Sequence, residues 1–273
     1  MQTRHIISTD GFRLQARIVG TSGIPIIFLH GFPFDSSQWL PQLESLPQPA
    51  RMIAPDLRGL GRSEGPVDPA RYSLAVWADD TRAWLDDRNV TRAVVVGLSM
   101  GGYTALEFAR RHSDRLGALI LMDTHPFADT PETVANRRAS QQLVAREGVA
   151  AIVDSLLDKV LGHQTRLLRP EVVAEVRAMM LRAPAGGVIG ALEAMAGRSD
   201  STSLLSEITV PVLVLAGAED LLTPPSQART WAPQLPAAVI ETIPDAGHLT
   251  ALEAPDRVNA VIRNFVEGLE PWW

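Results

Sequence analysis

Two hydrophobic periods alternate along this chain. Phe12, Leu14, Ala16 and Ile18 alternate with Arg13, Gln15, Arg17 and Val19 after an Asp10-Gly11 turn signal. A period of two buries one face, so the segment is predicted as an antiparallel hairpin. Pro25-Ile26-Ile27-Phe28-Leu29 is apolar throughout, which suits a strand covered on both faces. Strands are predicted again at 52–54, 94–96, 116–122, 210–216 and 238–243. Between them the spacing changes to three and four. Helices are expected at 36–43, with Ser36-Ser37 as cap, at 74–85, directly after residue 99, between the last two strands, and at 255–265.

From 125 to 209 the strand period disappears. Segments 131–147, 149–161, 170–182 and 188–196 carry helical spacing, punctuated by Gly148, Gly162, Pro170 and Pro184. Alternating strand and helix implies an α/β fold, a mostly parallel sheet covered by helices on both faces. An all-helical insertion between two strands then reads as a cap over the carboxyl edge, where open α/β sheets place their sites. The expected division is a core of 1–124 and 210–273 with a helical cap of 125–209.

Composition narrows the chemistry. The 273 residues include no cysteine, which removes disulfides, thiol nucleophiles and thiolate metal sites. Net charge is −6 without a basic block, so neither nucleic acid nor an anionic membrane is expected as partner. No apolar run approaches the ~20 residues of a membrane span, and the first residues lack a signal-peptide pattern. A cytoplasmic protein is expected. The six histidines show no HExxH or comparable ligand spacing, so no metal is expected. Gly59-x-Gly61-x-x-x-Gly65 is followed by Pro66 and Pro69 rather than by a helix, which sets aside a nucleotide-binding loop and any dinucleotide cofactor.

The candidate chemistry begins at Gly97-Leu98-Ser99-Met100-Gly101-Gly102. A β-branched run stops at a glycine and a helix starts after the serine, the setting in which G-x-S-x-G presents a nucleophile. A serine that only caps the helix is the plainer alternative. Two further residues fall after late strands, Asp220 in Gly217-Ala218-Glu219-Asp220 and His248 in Asp245-Ala246-Gly247-His248. The order Ser99, Asp220, His248 suits a serine activated by an imidazole, itself oriented by a carboxylate. Glu219 and Asp123 are rivals for the acid. The N–H groups of Phe32, in the loop after the first buried strand, and of Met100, after the serine, are the candidate oxyanion donors. Activity is expected to rise with pH through a value near that of histidine, ~6.5 give or take about a unit.

Through His30-Gly31-Phe32-Pro33, Asp56-x-Arg58-Gly59-x-Gly61-x-Ser63, Gly97-x-Ser99-x-Gly101-Gly102, Gly217-x-x-Asp220 and Gly247-His248, the sequence resembles the α/β-hydrolase family over nearly its whole length. Within that family it is most similar to capped small-ester and lactone hydrolases such as 3-oxoadipate enol-lactonases, with arylesterases and cofactor-free haloperoxidases close by. The resemblance implies a cofactor-independent serine hydrolase acting on a small ester or lactone. Cleavage of C–C or amide bonds, perhydrolysis, and slow-turnover reception of a small ligand are the alternatives. Met179, Met180, Leu181 and Met195 are expected to pack the cap, with His125 and Phe127 at its entry. Trp272-Trp273 are expected to pack against the body or to move.

Overall fold

The computed structural model describes residues 1–46 and 49–272. Eight strands form one sheet: β1 (Gln2–Ile7), β2 (Arg13–Val19), β3 (Ile24–Leu29), β4 (Ala50–Pro55), β5 (Ala93–Leu98), β6 (Leu116–Met122), β7 (Val212–Gly217) and β8 (Ala238–Ile243). Their order is β1-β2-β4-β3-β5-β6-β7-β8. β1 and β2 form the expected antiparallel hairpin, and β2 also runs antiparallel to β4. All the other pairs are parallel. The physical reason lies in the crossovers. Parallel neighbours that follow one another in the chain are joined through helical segments long enough to return to the starting edge.

The helices are α1 (Leu40–Ser45), α2 (Leu74–Asp87), α3 (Met100–Arg111), α4 (Pro131–Glu147), α5 (Ala150–Val160), α6 (His163–Leu168), α7 (Pro170–Leu181), α8 (Ala185–Ala196), α9 (Pro225–Trp231), α10 (Thr250–Glu253) and α11 (Pro255–Glu267). Strands β3, β5, β6 and β7 are buried at every position, as their unbroken apolar runs require. Register carries Leu29 beside Gly97, Gly97 beside Leu121, Met122 beside Leu215 and Gly217 beside Ile243. The loops after these five strands therefore leave one edge of the sheet side by side.

Two expectations need correction. The turn expected to be capped by Ser36-Ser37 is a 3₁₀ turn, Ser36–Trp39, capped by Asp35, whose Oδ1 accepts from the Ser37 amide at 2.8 Å; α1 follows it. The helical stretch between β6 and β7 has five helices rather than four. The unexpected α6 has six residues, too few for a periodic signal.

The helices between β6 and β7 touch the carboxyl-edge loops at several points. Arg182 donates from Nε to Asp35 Oδ2 at 2.8 Å, and Ser37 Oγ lies 3.5 Å from Met179 Sδ. Met179, Met180 and Met195 are buried, whereas Leu181 is exposed. At the other end Trp272 packs on Gly117 and takes Arg92 over its ring at 5.5 Å. Trp273 lies outside the described residues.

Candidate functional site

Ser99 stands between β5 and α3 with φ +55° and ψ −115°. Few side chains tolerate that region, and strain there is held only by tight surroundings. The surroundings are glycine. A Cβ on Gly97 would lie 2.2 Å from the Gly101 carbonyl oxygen, and one on Gly101 would lie 2.0 Å from that of Leu29. Strand and helix can pass this closely only without side chains. The Ser99 backbone is pinned as well: its amide donates to Met122 at 2.9 Å, and its carbonyl accepts from Gly102, Tyr103 and Thr124 Oγ1. Its hydroxyl makes no capping bond to α3.

That hydroxyl faces His248. Ser99 Oγ and His248 Nε2 are 2.7 Å apart, and His248 Nδ1 lies 2.8 Å from Asp220 Oδ2. An ionised carboxylate only accepts, so Nδ1–H donates to Asp220 and Nε2 is left to accept from the serine. Asp220 also accepts from the Leu222 and Thr223 amides on Oδ1 and from Thr223 Oγ1 on Oδ2. One carboxylate thus caps its own turn and meets the imidazole.

Burial alone would raise the Asp220 carboxyl, but the His248 charge and the hydrogen bonds of His248 and Thr223 lower it to about 2. Burial would lower the His248 imidazole, and the neighbouring carboxylates, Asp220 foremost, leave it above its ordinary value. The pair thus favours proton uptake at Nε2.

The rival acids do other work. Asp123 (φ +47°) accepts from the Gly217 amide at 2.9 Å and from Thr250 Oγ1 at 2.5 Å. Burial first, and then the Asp220 charge, raise its carboxyl well above the ordinary range. Glu219 accepts from the Gln164 amide at 3.1 Å. Neither is bonded to His248.

The loop after β3 passes beside the serine. A Cβ on Gly31 would lie 3.6 Å from Ser99 Cβ. His30 Nδ1–H donates to the Gly31 carbonyl at 2.9 Å, its Nε2 accepts from the Leu57 amide at 2.9 Å, and Gln38 Oε1 accepts from the Gly31 amide at 2.9 Å. Burial lowers the His30 imidazole, so the ring stays neutral and ties this loop to the next. The amides of Phe32 and Met100 have no hydrogen-bond partner among the described residues. Two free N–H groups beside a serine at a helix N-terminus form an environment suited to negative charge.

His125 accompanies Tyr103 at 3.3 Å (Nε2 to hydroxyl) and stacks on Phe127 at 5.5 Å between centroids. Burial and the Arg198 charge lower its imidazole to about 4. Tyr103, His125, Glu193 and Arg198 line a cavity of about 330 Å³. Among the described residues no group of three or more His, Asp or Glu is arranged to hold a metal. No helix is long and apolar enough to cross a membrane among those residues. Two residues at the site escape the sequence reading: Thr223, whose hydroxyl donates to Asp220, and Glu253, whose carboxylate accepts the Gly247 and Leu249 amides on either side of His248. Thr223 had a signal, standing three residues after an Asp in a turn; Glu253 had none.

Known proteins share this arrangement of the chain. The structure superimposes on an esterase from Thermogutta terrifontis with a TM-score of 0.94 and 38% identity, covering 99% of this chain and 100% of that one. It superimposes on the enol-lactonase from Burkholderia xenovorans LB400 with a TM-score of 0.88 and 28% identity, over 97% and 100% of the two chains. The 3-oxoadipate enol-lactonase 1 of Acinetobacter baylyi is 26% identical over 97% of each chain. The sequence pattern of the alpha/beta hydrolase fold matches residues 24–255. With the eight-stranded sheet, the serine on its strand-to-helix turn and this match spanning most of the chain, the protein belongs to the alpha/beta hydrolase fold family.

Proposed function

We propose that the chain is a cofactor-independent serine hydrolase that cleaves small carboxylic esters or lactones through an acyl-enzyme. The observation that carries this reading is the continuous hydrogen-bonded series from Ser99 through His248 to Asp220, at 2.7 and 2.8 Å, with the Phe32 and Met100 amides unpaired among the described residues. The esterase and enol-lactonase named above support the choice of bond.

In this reading Ser99 Oγ attacks the carbonyl carbon while His248 Nε2 takes its proton. The former carbonyl oxygen becomes negative and accepts from the Phe32 and Met100 amides, each such donor being worth ~10²–10³ in turnover. The imidazolium, held by Asp220, gives its proton to the departing alkoxide. A lactone opens at the same step and keeps its alcohol on the acyl chain. Water, deprotonated by the same nitrogen, then attacks the ester of Ser99, and the carboxylic acid leaves as the proton returns to the serine. Residues 125–209 act as the roof that keeps bulk water from the site.

The test is turnover of nitrophenyl esters of increasing acyl length and of small lactones by the intact chain and by Ser99→Ala. The expected result is hydrolysis that the substitution abolishes. Equal rates for the two chains would overturn the proposal.

A further inference from the structure

One buried carboxylate has no part in the chemistry above. Glu253, at the end of α10, is 4% exposed. Its Oε1 accepts the amides of Gly247 and Leu249, the two neighbours of His248, each at 3.0 Å. Its Oε2 accepts the amide of Gly162 at 2.8 Å. Gly162 lies in the turn between α5 and α6, and that turn reaches the imidazole's own backbone: the His248 amide donates to the Val160 carbonyl at 3.1 Å. Three consecutive amides, 247 to 249, are thus held, two by one carboxylate and one by the helical insertion.

The fit between these segments leaves no room for side chains. A Cβ on Gly247 would lie 2.3 Å from the Gly162 nitrogen, and one on Gly162 would lie 2.8 Å from the Gly247 nitrogen. The same insertion meets the acid's loop where the Gln164 amide donates to Glu219.

We propose that Glu253 is a positioning residue which, with the turn 160–162, fixes the His248 loop, so that seating of the helical insertion sets the imidazole on Ser99. This rests on the Ser99–His248–Asp220 reading. A carboxylate suits the task because it offers acceptors to all three amides, whereas a glutamine would present N–H groups to at least one of them and leave a buried donor unpaired. Charge contributes as well. Asp220 foremost, then Asp123 and Glu253, favour the protonated form of His248, and the His125 ring lies within electrostatic reach of it.

The experiment compares the full chain with Glu253→Gln and Gly162→Ala. It measures ester hydrolysis against pH, the rate at which a serine-directed fluorophosphonate labels residue 99, and folding by circular dichroism. For Glu253→Gln, kcat and labelling fall by about 10- to 100-fold, the loss expected from a misplaced base. KM stays within about threefold, because the interaction serves the reacting geometry rather than substrate binding. The acid limb moves to lower pH. Gly162→Ala displaces the turn but keeps the charge, so kcat falls and the limb stays. A folded Glu253→Gln chain with wild-type kcat and wild-type limb overturns the proposal. If that chain does not fold, Gly162→Ala decides, and wild-type kcat there overturns it. Labelling or turnover by Ser99→Ala would instead overturn the underlying reading, and this inference with it.

Discussion

Replacing Asp220 by asparagine tests which of the candidate acids serves His248. Asp220 Oδ1 accepts from two backbone amides, Leu222 at 2.8 Å and Thr223 at 3.0 Å. Those donors cannot turn round, so the carbonyl of an asparagine must take that place. Its NH₂ then stands where Oδ2 was, facing Thr223 Oγ1 and His248 Nδ1. The threonine hydroxyl can accept, but Nδ1 must then accept too, which moves the ring proton to Nε2. That nitrogen would donate to Ser99 instead of taking its proton. A wrong tautomer of this kind costs ~10⁴ in kcat, about 5.5 kcal/mol of barrier.

The change also touches stability. A carboxyl lowered from 3.8 to about 2 contributes stability above its unfolded value and loses it as pH falls toward the folded one. By linkage that is at most ~2.5 kcal/mol at neutral pH, well below the kinetic effect. The assay is steady-state hydrolysis of a nitrophenyl ester with a thermal melt of each variant. Asp123→Asn is the control: its carbonyl keeps the Gly217 amide, its NH₂ donates to Thr250, and kcat stays within about tenfold of wild type. A folded Asp220→Asn chain within tenfold of wild type would refute the reasoning, and a four-decade loss in Asp123→Asn would reassign the acid.

The profile of kcat/KM should rise with pH on a limb above the ordinary ~6.5 of histidine, because burial of His248 is outweighed by its carboxylates; a limb below that value, or none between pH 5 and 8, contradicts this. The linked stability has the opposite sense, complete below the unfolded value and lost as pH rises through the folded one. Arg182→Ala should cost ~1 kcal/mol in urea unfolding at pH 7, a figure reduced because the arginine is half exposed. Despite burial, hydrogen bonds from Arg182 and Ser37 hold Asp35 to about 2, so the difference should vanish as pH falls from about 4 toward that value; a difference unchanged at low pH refutes the pairing. Gly97→Ala forces a Cβ to within 2.2 Å of a backbone oxygen and should cost about 3 kcal/mol or more, with loss of activity. A wild-type melt would show that strand and helix can separate there.

The sheet and the serine turn were legible because both rest on local pattern. Buried parallel strands need unbroken apolar runs, and the turn at residue 99 needs glycines two positions to either side. Three ionisable groups near the candidate base shared the same local look. Asp123, Glu219 and Asp220 all follow strands, and only packing assigns one of them to the imidazole. Asp35 was overlooked beside two serines, since which residue caps a turn depends on backbone angles. Glu253 was invisible for a stronger reason: its meaning lies in the amide of Gly162, 91 residues away, and nothing within its own helix implies that pairing.

The central claim, that Ser99 carries the acyl group, is tested most directly by rapid acid quench of the protein with a nitrophenyl ester, followed by tryptic mass mapping. The account predicts one acyl mass on the peptide of residues 93–110, located at Ser99, formed in a burst stoichiometric with protein and absent from Ser99→Ala. Ester turnover with no acyl group at that residue, or undiminished turnover by the alanine variant, would contradict it.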